Sequence, residues 1–187
     1  MLFDSKPNKI KDELPEAVVL KTDNQGWLSD QECLALTSIL KNLNGQLHFC
    51  TKGKWSNHEV LKAIVQIAGP GRLTLSTWTI TEDPIRTIVQ MKSEGLITEL
   101  NCILDYRIND RRPESFHLLK SNSNRITLAK CHAKALVFQG EHRVFSMIGS
   151  ANFTRNPRIE VGLISNDSSL AEFHLKWMNE ILENEPE

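Results

Sequence analysis

CHAKALVFQGEHRVFSMIGSANFTRNPRIE, residues 131–160, is the stretch from which the rest of the chain can be read. Two apolar, strand-like runs, 133–138 and 143–148, flank the polar segment Gln139-Gly140-Glu141-His142, which predicts a β-hairpin. A hairpin returns the chain to the level where it began. His132 and Lys134, at the start of the first strand, then lie at the same end of a sheet as Ser150 and Asn152, which follow the second. Because positions i and i+2 of an extended chain share a face, Lys134 presents its ammonium beside His132, and Ser150 and Asn152 repeat that spacing.

These residue types suit the cleavage of a phosphodiester. Without a metal, that reaction needs a nucleophile, cationic and hydrogen-bonding groups for the charged phosphoryl oxygens, and an acid for the leaving oxygen. His132 supplies an imidazole nucleophile and Lys134 an oxyanion clamp. Ser150 and Asn152 each carry a short donor for a non-bridging oxygen. Glu160 is placed in this scheme as the acceptor from the second imidazole nitrogen, fixing the tautomer of His132.

At these residues the chain resembles the phospholipase D superfamily, whose signature runs His-x-Lys-x-x-x-x-Asp, a short spacer, Gly-Ser-x-Asn and a downstream Glu. Here it reads His132-Ala133-Lys134, then Gly149-Ser150-Ala151-Asn152, then Glu160. Gln139 stands where the family carries Asp, and the spacer to Gly149 is longer than usual. In the family that Asp supports the hairpin rather than attacking phosphorus. The succession of strand-like and helix-like segments over residues 46–187 matches the small bacterial endonucleases of the superfamily. The resemblance implies an α/β fold with a mixed sheet flanked by helices on both faces. It also implies a phosphohistidine intermediate and no cofactor or metal. Since one motif is present per chain, it implies a homodimer in which His132 of one protomer attacks and His132 of the other protonates the leaving group.

Composition narrows the setting. A chain of 187 residues fits one catalytic domain, and 40% hydrophobic with 24% charged residues is ordinary for a soluble globular protein. A net charge of -1 does not announce a nucleic-acid partner, so any such contact must rest on a local patch. Candidates are Lys52 and Lys54, Arg107, Arg111 and Arg112, and Arg155 and Arg158. Scattered surface charge is the commoner explanation for each such residue. Trp78, at the end of a strand that points to the site, can stack on a base or pack in the core. Lys54, Trp78 and Arg155 are the substrate-binding candidates. No secretory signal or membrane span is legible, which predicts a cytoplasmic protein with no stable membrane association. Cys33, Cys50, Cys102 and Cys131 are widely spaced and read as reduced thiols rather than metal ligands.

Working outward, residues 1–45 form an N-terminal arm and a helix, and residues 46–187 the phosphodiesterase-like domain. Ala17-Val18-Val19-Leu20 suggests one strand in the arm. Ser29 and Glu32 form a capping-box pattern ahead of Leu34, Ile39, Leu40 and Leu43. Ser56 and Glu59 repeat it ahead of a helix over 57–68, which Gly69-Pro70-Gly71 ends. Strands follow at 73–78, 99–106 and 125–129, with helices from Pro84, over 113–120 and from Ser168. Asp83 and Pro84 read as a cap and a first helical residue. Phe173, Trp177 and Ile181 share one face of the last helix and read as core.

A phosphodiesterase acting on DNA or RNA fits these features best. A lipid phosphodiesterase or phosphatidyl transferase shares the chemistry but would need an apolar entry surface. An inactive nucleic-acid-binding module would keep the pocket and lose turnover.

Overall fold

In the computed structural model the described residues are 25–26, 36–51, 56–155 and 158–184. Their elements begin with β1 (Gln25–Gly26), α1 (Leu36–Lys41), β2 (Gln46–Thr51), α2 (Asn57–Ala68) and β3 (Gly71–Thr77). The middle of the chain forms α3 (Glu82–Ser93), β4 (Ile97–Asp105), α4 (Ile108–Arg111), α5 (Pro113–Asn122) and β5 (Arg125–Ala129). Then come β6 (Ala135–Gly140), β7 (Val144–Gly149), β8 (Glu160–Ser165) and α6 (Ser168–Glu183). The strands make one mixed sheet in the order β1-β2-β8-β7-β6-β3-β4-β5. β3, β4 and β5 run parallel, the β3–β6, β6–β7, β7–β8 and β8–β2 pairs are antiparallel, and β1 pairs parallel with β2.

Local sequence explains most elements. In α2 the buried Val60, Leu61, Ile64, Val65 and Ala68 recur at helical spacing, and the Ser56 backbone N–H donates to the Glu59 carboxylate at 2.7 Å. Gly69 ends the helix at φ 75°, a conformation glycine reaches without Cβ strain. Residues 73–77 of β3 are buried without alternation, as expected of a central strand covered on both faces. In β6 the faces separate cleanly. Leu136 and Phe138 join the large core under α1, α2, α3 and α5, whereas Ala135 and Val137 join a smaller one under α6 with Ala171 and Met178.

On that second face α6 packs on β3 to β7. A cavity of about 640 Å³ is left beyond it, walled by His48, Cys50, Ile148, Val161, Leu163 and Trp177. Val161, in that wall, is 54% exposed, and Phe173 of α6 is 64% exposed. Phe173 was expected in the core and is exposed instead, whereas Trp177 is half-buried and Ile181 packs on the smaller core.

Other expectations shift by a residue or an element. Thr81 rather than Asp83 caps α3, so Pro84 is the third helical residue; a proline costs little there, since first-turn N–H groups lack intrahelical acceptors anyway. β8 and the single turn α4 were not anticipated. Glycine and two polar residues dilute the strand pattern of β8, and α4 is too short for a periodic signal. The strand at 17–20 and the cap at Ser29 lie outside the described residues, as do Lys52, Lys54, Trp55 and Cys33. Cys50, Cys102 and Cys131 are free thiols, and burial pushes Cys102 up to about 12.

Phe138 is fully buried between α2 and the sheet. Phe138→Ala should therefore lower unfolding free energy by about 3–5 kcal/mol, read as a reduced urea midpoint at unchanged slope.

Candidate active site

The topology brings the sequence-predicted residues to one end of the sheet. β3 and β4 end there, β6 and β8 begin there, and β7 ends there. This is the carboxyl end of the parallel strands, the edge at which open α/β sheets bind ligands. His132 and Lys134 lead into β6, Ser150 and Asn152 follow β7, Glu160 opens β8, and Trp78 follows β3. Gly149 makes the turn into Ser150 possible, for a Cβ there would lie 2.8 Å from the Val161 carbonyl oxygen.

His132 is exposed, and the Lys134 ammonium sits 3.3 Å and 3.4 Å from its two ring nitrogens while donating to the His132 carbonyl at 2.8 Å. Partial burial lowers the Lys134 pKa, against opposing attraction from Cys131 and Glu160. A negative charge brought beside Lys134 would act as Glu160 does and favour its cationic form. Ser150 is locked to β8: its N–H donates to Val161 O at 2.9 Å and its Oγ accepts from Val161 N–H at 3.0 Å.

Glu160 takes a different partner from the expected one. Its carboxylate accepts the Ser150 hydroxyl, and no bond to His132 occurs among the described residues. The reason is register. Gly149 pairs with Gly162, which sets Ser150 beside the first residues of β8, where its N–H donates to Val161 O. Asn152 Oδ1 accepts from Thr77 Oγ1 at 3.3 Å, which orients the amide and leaves its N–H donors for another acceptor.

Three residues that the sequence did not assign to the site brace this loop. Asn57 Nδ2 donates to the Ala151 carbonyl at 2.8 Å. His58, buried in the same first turn of α2, faces the Asp83 carboxylate at 3.6 Å, and Asp83 in turn pairs with Arg155 at 2.8 Å. Arg155 is therefore held at the rim by α3, away from the His132–Lys134 pair in its contacts. The helix-start pattern at Ser56 was visible, but nothing local ties Asn57 to a loop 94 residues away.

Trp78 is half-buried with its ring centroid 5.7 Å from that of His132. Gln139, at the family's Asp position, lies at the opposite end of β6, paired with Arg72 and Val144. His142 in the hairpin is exposed. Among the described residues no group of three or more His, Cys, Asp or Glu side chains is placed to hold a metal ion, and no helix is long and apolar enough to cross a membrane.

At the level of sequence, no protein-family model and no curated protein matches the chain. Solved structures do. Nuc from Salmonella typhimurium, a phospholipase D family member, superposes with a TM-score of 0.55 over 73% of this chain and 92% of that one, at 17% identity. The chain has the phospholipase D fold. NucT from Helicobacter pylori agrees, with a TM-score of 0.59 at 19% identity over 74% of this chain and 95% of that one. The polyphosphate kinase of Porphyromonas gingivalis reaches 0.60 at 11% identity, over 90% of this chain but 31% of the kinase. In this phospholipase D fold the mixed sheet carries helices on both faces, as the sequence predicts.

Burial lowers the pKa of both His58 and His174. The unfolded chain then binds protons more readily than the folded one, so stability is full above the ordinary histidine value of 6.5 and is lost as pH falls from there through the lowered folded values. The urea midpoint should fall between about pH 7.5 and 5, and His58→Gln and His174→Gln should each lessen that fall.

Proposed function

We propose that the protein is a metal-independent phosphodiesterase acting on DNA or RNA, an endonuclease whose chemistry resides in residues 46–187. The observation that carries this reading is the gathering of His132, Lys134, Ser150 and Asn152 at one end of a phospholipase D fold. An exposed imidazole with an ammonium against it is suited to attack an anionic phosphorus centre.

In the proposed reaction a nitrogen of His132 attacks phosphorus and an N–P bond forms as the P–O bond to the leaving group breaks. Lys134 and the Asn152 amide stabilise the non-bridging oxygens. Ser150 joins them when its hydroxyl turns from Glu160 to substrate, and Glu160 otherwise holds it in place. The leaving oxygen takes its proton from a second histidine. Water, giving a proton to that same histidine, then attacks phosphorus and releases His132. The chain carries one such motif, so the second histidine is assigned to His132 of the partner subunit in a homodimer. The uncovered apolar face around Val161 and Phe173 is the surface we assign to that partner. Lys54, Trp78 and Arg155 are assigned to substrate contacts outside the reacting centre, and the unpaired thiols suit a cytoplasmic setting.

The same cavity favours a second reading. Its apolar wall reaches Lys134 and Ser150, and an acyl chain would fit it if the substrate were a lipid diester.

Cleavage of plasmid and single-stranded DNA in excess chelator should persist in the native protein and fall at least about 10³-fold in His132→Ala. Ser150→Ala should cost on the order of 10²-fold in kcat. Oligonucleotide binding without turnover would overturn catalysis in favour of an inactive module, and hydrolysis of phosphatidyl substrates alone would favour the lipid reading. Sedimentation as a monomer, with a rate linear in protein concentration, would overturn the composite site. Because burial lowers Lys134, the alkaline limb of kcat/KM should lie below the ordinary lysine value of 10.5 and move upward in Lys134→Arg.

A further inference from the structure

Beside the reacting centre lies a second cationic feature that a lone phosphodiester would leave unused. The Arg111 guanidinium carbon sits 4.7 Å from the Trp78 ring centroid, and Trp78 itself abuts His132. Arg107 lies 5.9 Å from the same ring and 5.3 Å from Tyr106. The two arginines differ in what they have left to offer. Arg107 is neutralised, its Nε 2.6 Å from Asp105 Oδ1 and its second nitrogen 3.2 Å from Oδ2, and this pairing holds the buried Asp105 carboxyl below its usual range. Arg111 is exposed and makes no ion pair among the described residues. Its charge, which also helps hold Asp105 ionised from a distance, lies on an aromatic face two contacts away from the His132 ring.

Arg111 also lines a groove of about 610 Å³, together with Arg112, Arg155, Glu82, Asp83 and Glu114. Asp83 is already tied to Arg155, and Glu82 to Arg86. Of the arginines lining this groove, Arg111 is the one placed over Trp78, whose ring abuts His132.

We propose that Arg111, seated on Trp78, binds a phosphate neighbouring the scissile one on the same strand, so that this subsite selects a polymeric nucleic acid over a substrate with a single phosphodiester. A nucleic-acid strand offers a charge at every residue, whereas an aryl or lipid diester has nothing to place there. Trp78 holds the guanidinium out towards that phosphate, and Arg107, pinned by Asp105, fixes the side of the platform. The subsite rests on the phosphodiesterase reading for its place beside the reaction, but its phosphate binding does not depend on turnover.

Two measurements test it on the native chain, Arg111→Gln and Arg111→Lys. The first is the ratio of kcat/KM for a labelled oligonucleotide to that for bis(p-nitrophenyl) phosphate. The second is the salt dependence of oligonucleotide binding. Arg111→Gln should lower the ratio about tenfold and reduce the magnitude of the log K against log salt slope by about 0.7–0.9, while Arg111→Lys keeps most of the slope. A wild-type ratio and slope in Arg111→Gln would overturn the subsite. Bis(p-nitrophenyl) phosphate turnover by the native protein, lost in His132→Ala, reports on the catalytic reading separately. If no diester is turned over, that reading fails and the binding slope alone decides the subsite: a reduced slope supports it and an unchanged slope overturns it. Arg111 is exposed, so equal Tm values should accompany both variants.

Discussion

The register of β6 is the constraint on which the site depends. Ala135 lies opposite Ser76 of β3 on one side and opposite Ile148 of β7 on the other. That single alignment sets the His132–Lys134 segment against the exit of β3 and the exit of β7 at once. A slip of one residue would turn Val137 and Phe138 to the wrong faces and exchange the two cores as well as misplace the site. Fold stability and site geometry are therefore enforced by the same side chains, and the fully buried Phe138 and Val137 are as much a part of the site's precision as any polar contact.

Around this alignment the polar residues divide into those that offer charge and those that hold position. Lys134 is partly desolvated and short of negative partners, whereas Glu160 is occupied by the Ser150 hydroxyl and Asp105 by Arg107. The acids near the site thus act mainly as internal ties. Cations and donors are what remain facing outward, a distribution the formal charge of the whole chain conceals.

Much of this was legible in sequence where the signal was local. The hairpin of β6 and β7, the helix over 57–68 between its capping box and Gly69, and the strand over 125–129 each carry their own boundaries in adjacent residues. The order His132, Lys134, Ser150 and Asn152 named one end of the sheet because a hairpin must close. What sequence left out depends on partners far along the chain. Asn57 holding Ala151, Arg111 resting on Trp78, and Glu160 turning to Ser150 are outcomes of packing and register that no window of residues contains. Phe173 shows the converse: helical periodicity assigns a face, but whether that face is covered depends on how far the sheet extends beyond the helix.

Gln139 sits at the far end of β6 in a cross-strand row with Arg72 and Glu99, and the Arg72 guanidinium is already 2.7 Å from the Glu99 carboxylate. An aspartate in place of Gln139 would bring a second carboxylate to a guanidinium whose charge is balanced. A neutral amide can accept from or donate to the same row without that rivalry. In this row the negative charge comes from Glu99 on the neighbouring strand, and position 139 adds none.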